Sequence, residues 1–174
     1  VLQELATDSS QIIVCSHSPY FIPGDDFHNV RMVREVGSPS FSNVTSLTYI
    51  DLSKELTNAG EKAVKESGMI AKLYPTLRPE ISEMFFSRKL ILVEGIEDVA
   101  YLTTYIQLMG RQSNFRRSGY HIIPVGGKNE LIKPLAIAKL LKIEVFVMCD
   151  ADTNKTREDE VNKHKNDNAA IYTC

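Results

Sequence analysis

The sequence predicts an α/β protein organised around a parallel sheet flanked by helices, and three observations carry that expectation. Short β-rich runs, KLILVE, HIIPV and EVFVMCD, alternate with longer helical patterns from Arg88 onward. These runs are apolar throughout, as strands covered by helices on both faces should be. Each run ends at an acidic residue or a glycine pair, the residue types found where a parallel strand gives way to a loop.

The elements follow in order. VLQELATDSS has the character of a helix end, and Gln11–Ser16 (QIIVCS) is a short apolar run expected to form a buried strand. The two prolines and one glycine of HSPYFIPGDD impose a turn. Val30–Glu35 alternates apolar and polar residues, GSPSFSN is a turn, and Val44–Ile50 is a second strand, so a hairpin is expected. A helical pattern runs from Ser53 to about Phe86, broken near Tyr74-Pro75 and Arg78-Pro79. Lys89–Glu94 is then a strand, and Ile96–Met109 a helix closed by Gly110. His121–Val125 is a strand, Gly126–Lys142 a helix interrupted near Pro134, and Glu144–Asp150 a strand. A polar segment with a possible helix leads to Ala169–Cys174 (AAIYTC), read as a fourth strand.

Composition bounds the function without fixing it. The chain has 174 residues, 43% hydrophobic and 24% charged, with a formal net charge of −2, so any nucleic-acid affinity must come from a local basic patch. Cys15, Cys149 and Cys174 lie far apart and read as reduced thiols. No run is long and apolar enough to span a bilayer, and no signal-peptide pattern opens the chain, so a soluble cytoplasmic protein is expected. The lack of an initiator Met and the apolar last residues read as those of a segment of a longer protein.

The chemistry concentrates at three strand ends. Glu94 closes the first strand and Asp98 falls in the next helix's first turn, facing back toward it. Gly126-Gly127-Lys128 follows the second strand, and Asp150-Ala151-Asp152 the third. Taken alone, Glu94 and Asp98 are equally well read as acids serving a helix N-terminus, and the aspartates as turn caps. Taken together, Glu94, Asp98, Asp150 and Asp152 are expected to meet closely. Carboxylates gathered at one sheet edge repel one another unless a hard cation sits among them, which points to Mg²⁺ or Mn²⁺, with two ions expected. Lys128 is the candidate for a scissile-phosphate contact. Arg111, Arg116 and Arg117, interleaved with Phe115 and Tyr120, form a candidate DNA-binding segment, with a solvated arginine-rich loop an equal reading. Leu102, Ile106, Leu108 and Met109 have the spacing of a core-facing stripe, and Tyr101, Tyr105 and Tyr120 are read as packing residues.

At LILVEGIED and VFVMCDAD the sequence resembles the Toprim domain, and the extended LVEGxxD form resembles the overcoming-lysogenization-defect (OLD) nucleases, to which the nuclease subunit of Gabija phage defence is a close relative. The resemblance implies a Rossmann-like Toprim sheet and a two-metal DNA endonuclease fused to a regulating ABC-type ATPase. IIVCSHSPYFI resembles the end of that ATPase domain, with His17 at the position of a nucleotide-sensing histidine. It divides the chain into an ATPase end (1–52), a helical connector (53–87) and a Toprim domain incomplete at its C-terminus (88–174). No GxxxxGK[ST] loop is present, so ATP is expected to bind only in the intact parent. Expected partners are DNA, a homo-oligomer formed through the ATPase or through connector residues such as Ile70, Leu73, Ile81 and Phe85, and a defence partner protein. The competing reading is a non-catalytic Toprim-fold binding or assembly module whose acids hold a structural ion.

Overall fold

The computed structural model describes residues 10–22, 24–151 and 158–173. Strands β1 (Met32–Val36) and β2 (Phe41–Thr45) form an antiparallel hairpin. Helices α1 (Tyr49–Asn58), α2 (Glu66–Leu73) and α3 (Pro79–Ser82) follow, the last running into a 3₁₀ turn at Glu83–Phe86. Then come β3 (Lys89–Val93), α4 (Ile96–Leu108), α5 (Gln112–Arg117), β4 (Tyr120–Pro124), a 3₁₀ turn at Lys128–Glu130, α6 (Ile132–Leu140), β5 (Glu144–Met148) and α7 (Glu158–Thr173).

The sheet has the order β4-β3-β5, and both pairings are parallel. Its central strand is the most buried: Leu90, Leu92 and Val93 are wholly sequestered, each worth about 1.5–3 kcal/mol of hydrophobic transfer. Helix α6 buries Ile132, Leu135, Ala136, Ile137 and Ala138, packing on β5 and α1, while α4 packs on β3 and β4. The hairpin joins the same core through Met32, and Arg34 donates to the Phe85 carbonyl at 3.1 Å. Burial pushes the Arg34 guanidinium below its ordinary pKa.

Thr48 caps α1 by accepting the Asp51 N–H at 3.1 Å, which starts the helix at Tyr49. That cap ends the second hairpin strand early, so Tyr49 and Ile50 are helical instead of extended. Gly110, at φ +65°, closes the turn after α4 as expected. Pro134 does not interrupt its helix: it sits in the first turn of α6, where its missing N–H needs no partner.

Three expectations are corrected. Gln11–Ser16 forms no strand: no strand among the described residues pairs with it, and Ile13 is 80% exposed. Ala169–Thr173 continues α7, with Ala170 buried and Tyr172 90% exposed; a short apolar run fits helix and strand alike, and here the polar segment before it propagates the helix. Leu102 and Ile106 are half-buried, but Leu108 and Met109 face solvent at 81% and 51%, so the stripe is narrower than its spacing suggested. Of the connector residues, Leu73, Ile81 and Phe85 are buried in this chain's own core, and Ile70 is half-buried.

The strands also differ in pattern. β3 is buried on both faces, whereas β5 alternates, and Phe146 is 48% exposed. Only one side of β5 carries a strand partner among the described residues, so it behaves as an edge. No helix among the described residues is long and apolar enough to cross a membrane.

Candidate functional site

Because β3, β4 and β5 run parallel, their C-terminal ends open on one edge of the sheet. Glu94 ties the three ends together. Its backbone carbonyl accepts N–H bonds from Gly126 and Gly127, each at 2.9 Å, and its side-chain Oε1 accepts the Asp150 N–H at 2.8 Å. The residue after β3 thus holds the loops after both neighbouring strands. Gly126 and Gly127 lie at φ +98° and +139°, where an L side chain is strained, so the glycine pair is a backbone requirement. Gly95 is different: its φ of −137° is extended backbone open to any residue.

Asp98 sits at the third position of α4, and its Oδ2 accepts the Gly95 N–H at 2.9 Å. This half of a capping box stabilises the helix start, where the helix dipole also favours a carboxylate. Glu94, Asp98 and Asp150 line one cleft with Gly126 and Gly127 on its wall. Glu94 and Asp98 are half-buried and Asp150 is exposed. Glu97 also lines the cleft; its one signal in the sequence is its place beside Asp98 in the first helical turn. Asp152 lies outside the described residues.

The donor chemistry suits a hard divalent cation, since carboxylate oxygens are the ligands Mg²⁺ and Mn²⁺ prefer. Glu94, Asp98 and Asp150 are the strand-end acids on the cleft that could hold one. One Asp98 oxygen is already engaged by its own helix, and among the described residues no three His, Cys, Asp or Glu side chains close into a ready-made cage.

Lys128 stands beside the same loop. Its side chain is 6% exposed and turned inward, where Nζ donates to the Asp150 carbonyl. This contact braces the β5 loop. The Lys128 ammonium and the Glu94 carboxylate therefore grip opposite sides of the Asp150 backbone, the first at its C=O and the second at its N–H.

The arginine segment lies elsewhere. Arg111, Arg116 and Arg117 are exposed on or beside α5, which leads into Tyr120, and Tyr120 pairs with Lys89 at the opening of the sheet. That end is removed from Glu94 by the length of β3, about 16 Å at the usual rise per residue. Phe115 and Tyr120, expected to offer faces to a base, stack on each other at 5.2 Å and 17°. Tyr101 and Tyr105 likewise stack on one another at 6.5 Å, but on the exposed side of α4. His17 is exposed, its ring 6.1 Å from that of Phe86.

The sequence reading missed Arg78. In the sequence it is one half of an Arg-Pro helix break; in the fold its guanidinium reaches the cleft, where Nη2 donates to the Val125 carbonyl at 3.1 Å. No local pattern marks it, because the contact spans 47 residues of sequence.

The fold agrees with the comparisons. The chain is 24% identical over 154 residues to the protein named Endonuclease GajA from Bacillus cereus (strain HuB5-5). The alignment covers 84% of this chain and 22% of that relative, so the chain spans about a fifth of the relative's length. The model of the family "Overcoming lysogenization defect protein-like, TOPRIM domain" matches residues 85–152, a stretch that holds β3, β4, β5 and all the strand-end acids. The α/β unit at residues 85–152 is thus the part of the chain that resembles the OLD-like Toprim family.

Proposed function

We propose that the protein carrying this chain is a metal-dependent DNA endonuclease that hydrolyses phosphodiesters at the Glu94 cleft. One observation carries the reading: the Glu94 carboxylate and the Asp150 backbone are joined at 2.8 Å, on a cleft that Asp98 also lines. A divalent cation bound there supplies Lewis-acid polarisation of a phosphoryl oxygen and an activated water. Glu94 and Asp150 offer it oxygen ligands, with Asp98 and Asp152 completing the acidic set. The Asp150 N–H and the Lys128 ammonium fix the loop on which Asp150 stands, so its carboxylate is presented from a braced backbone. Gly126 and Gly127 keep one wall of the cleft free of side chains and let a phosphate approach the backbone closely.

The wider assignment belongs to the same proposal. Residues 1–52 are the end of an ABC-type ATPase with His17 sensing nucleotide, 53–87 a connector, and 88–174 the nuclease domain. The ATPase regulates cleavage in a cytoplasmic antiviral defence system. The relative's printed name, an endonuclease, supports the catalytic half of this reading.

The test is nicking of supercoiled plasmid by the full-length protein in Mg²⁺ or Mn²⁺, with Glu94→Ala and Asp150→Ala alongside. Loss of nicking in both variants supports the proposal. Nicking that survives both, or a wild-type protein that never nicks, favours the non-catalytic module instead.

A further inference from the structure

On the cleavage reading, a polyanion must be held beside the cleft that carries the acids. Of the cleft's charged residues, Glu94, Glu97, Asp98 and Asp150 are acidic and Arg78 is basic. Arg78 and Gly126 also line a second, adjoining cleft together with Lys72, Lys133 and Glu130. The lining thus changes across Arg78, from four acids with one guanidinium to a groove where three cations stand beside carboxylate partners.

The geometry leaves these cations with donors to spare. Arg78 spends Nη2 on the Val125 carbonyl at 3.1 Å and holds Glu80 only loosely, Nε to Oε2 at 3.8 Å. Its Nη1 has no protein partner among the described residues, and the side chain is 47% exposed. Lys72 pairs with Glu61 at 2.9 Å and Lys133 with Glu130 at 3.0 Å, each ammonium keeping further N–H groups. The Val125 carbonyl pins the guanidinium in place, so a bound phosphate does not have to order it.

We infer that a DNA strand leaves the acidic cleft over Arg78 and runs into the Lys72–Lys133 groove, its backbone phosphates contacting Arg78 first and Lys133 next. The inference rests on the cleavage reading above, since it takes the acidic cleft as the point where the strand is cut. It replaces Arg111, Arg116 and Arg117, which stand at the other end of the sheet, as the phosphate contacts. A guanidinium suits the junction because its planar fork can hold the backbone and a phosphate oxygen together.

The experiment measures binding of a fluorescent mixed-sequence DNA duplex to the full-length protein in Ca²⁺ buffer, titrated across a salt series. Arg78→Gln is expected to weaken binding about tenfold and to flatten the log K against log salt slope by about 0.9, the signature of one lost phosphate contact. Lys133→Gln should weaken it about threefold, and Arg78→Lys should restore most of the slope. The double variant Arg116→Gln/Arg117→Gln should bind as wild type does. Thermal unfolding of each variant checks that it is folded, and Lys133→Gln carries the test if Arg78→Gln is not.

The inference is overturned if Arg78→Gln and Lys133→Gln both leave affinity and slope unchanged, if the loss appears in the Arg116/Arg117 variant instead, or if wild type binds no DNA. Nicking abolished by Glu94→Ala alongside unaltered binding in Arg78→Gln overturns this inference alone. Nicking that persists in Glu94→Ala overturns the cleavage reading, while the salt slopes still report on the strand path.

Discussion

The two ends of the parallel sheet are built from similar residues and do opposite things with them. At the opening end, Lys89 meets Glu144 at 3.3 Å and lies 5.3 Å from the centre of the Tyr120 ring, Tyr120 stacks on Phe115, and His121 pairs with Glu83 at 3.0 Å. Charge answers charge there and ring covers ring. At the closing end, Glu94, Glu97, Asp98 and Asp150 share one cleft with a single guanidinium. An end that satisfies itself adds stability; an end that concentrates one sign of charge forgoes some in favour of a ligand. Mutations at the two ends should therefore be read out by different assays.

The largest expected effect is at the closing end. Glu94→Ala should lower metal-dependent nicking by about a hundredfold or more, because it removes a carboxylate ligand and the acceptor for the Asp150 N–H together. Asp150→Asn, which keeps that N–H, separates the two contributions: a comparable loss in a plasmid-nicking assay assigns the effect to the ligand.

Next is Lys128→Met, which keeps the bulk of the side chain but strands the Asp150 carbonyl. A loss of about 1–3 kcal/mol in urea unfolding is expected, as for a hydrogen bond to a charged donor. Unchanged stability would mean that Lys128 does not brace the loop.

Tyr120→Leu should cost about 1 kcal/mol through its ring contacts with Phe115 and Phe146 and leave nicking within about twofold. A severe loss of nicking here would erase the contrast between the two ends.

The smallest effect concerns Lys89. Its hydrogen bond and charge attraction to Glu144 hold its pKa above the ordinary lysine value. A raised folded-state pKa gives a contribution that is full below the unfolded lysine pKa and lost as pH rises through the folded one. The gap in Tm between wild type and Lys89→Met should be small at neutral pH and close at alkaline pH.

The same contrast explains what could be read from the sequence. LILVEG and VFVMCDAD were legible because strand, turn and acid are contiguous, and a parallel sheet sends every strand end to the same edge. The hairpin and the proline breaks at Tyr74-Pro75 and Arg78-Pro79 were legible for the same local reason. Arg78 was not, because it reaches the cleft through a fold-level contact with Val125. Nor was the direction of Lys128, since a lysine after two glycines points inward or outward according to what lies beneath it. For the arginine segment, composition shows that cations cluster but not at which end of a strand they emerge. Ala169–Thr173 misled because five small and apolar residues carry too short a period to tell helix from strand.

Gly126 and Gly127 carry a final consequence. Both occupy backbone angles that the handedness of natural amino acids disfavours, with no metal or nucleic acid needed to make it so. Selection for a foldable chain alone should hold both positions at glycine, so a saturation library scored only for soluble expression should already reject branched side chains there. Their persistence in any set of variants would testify to stereochemistry and would say nothing about catalysis.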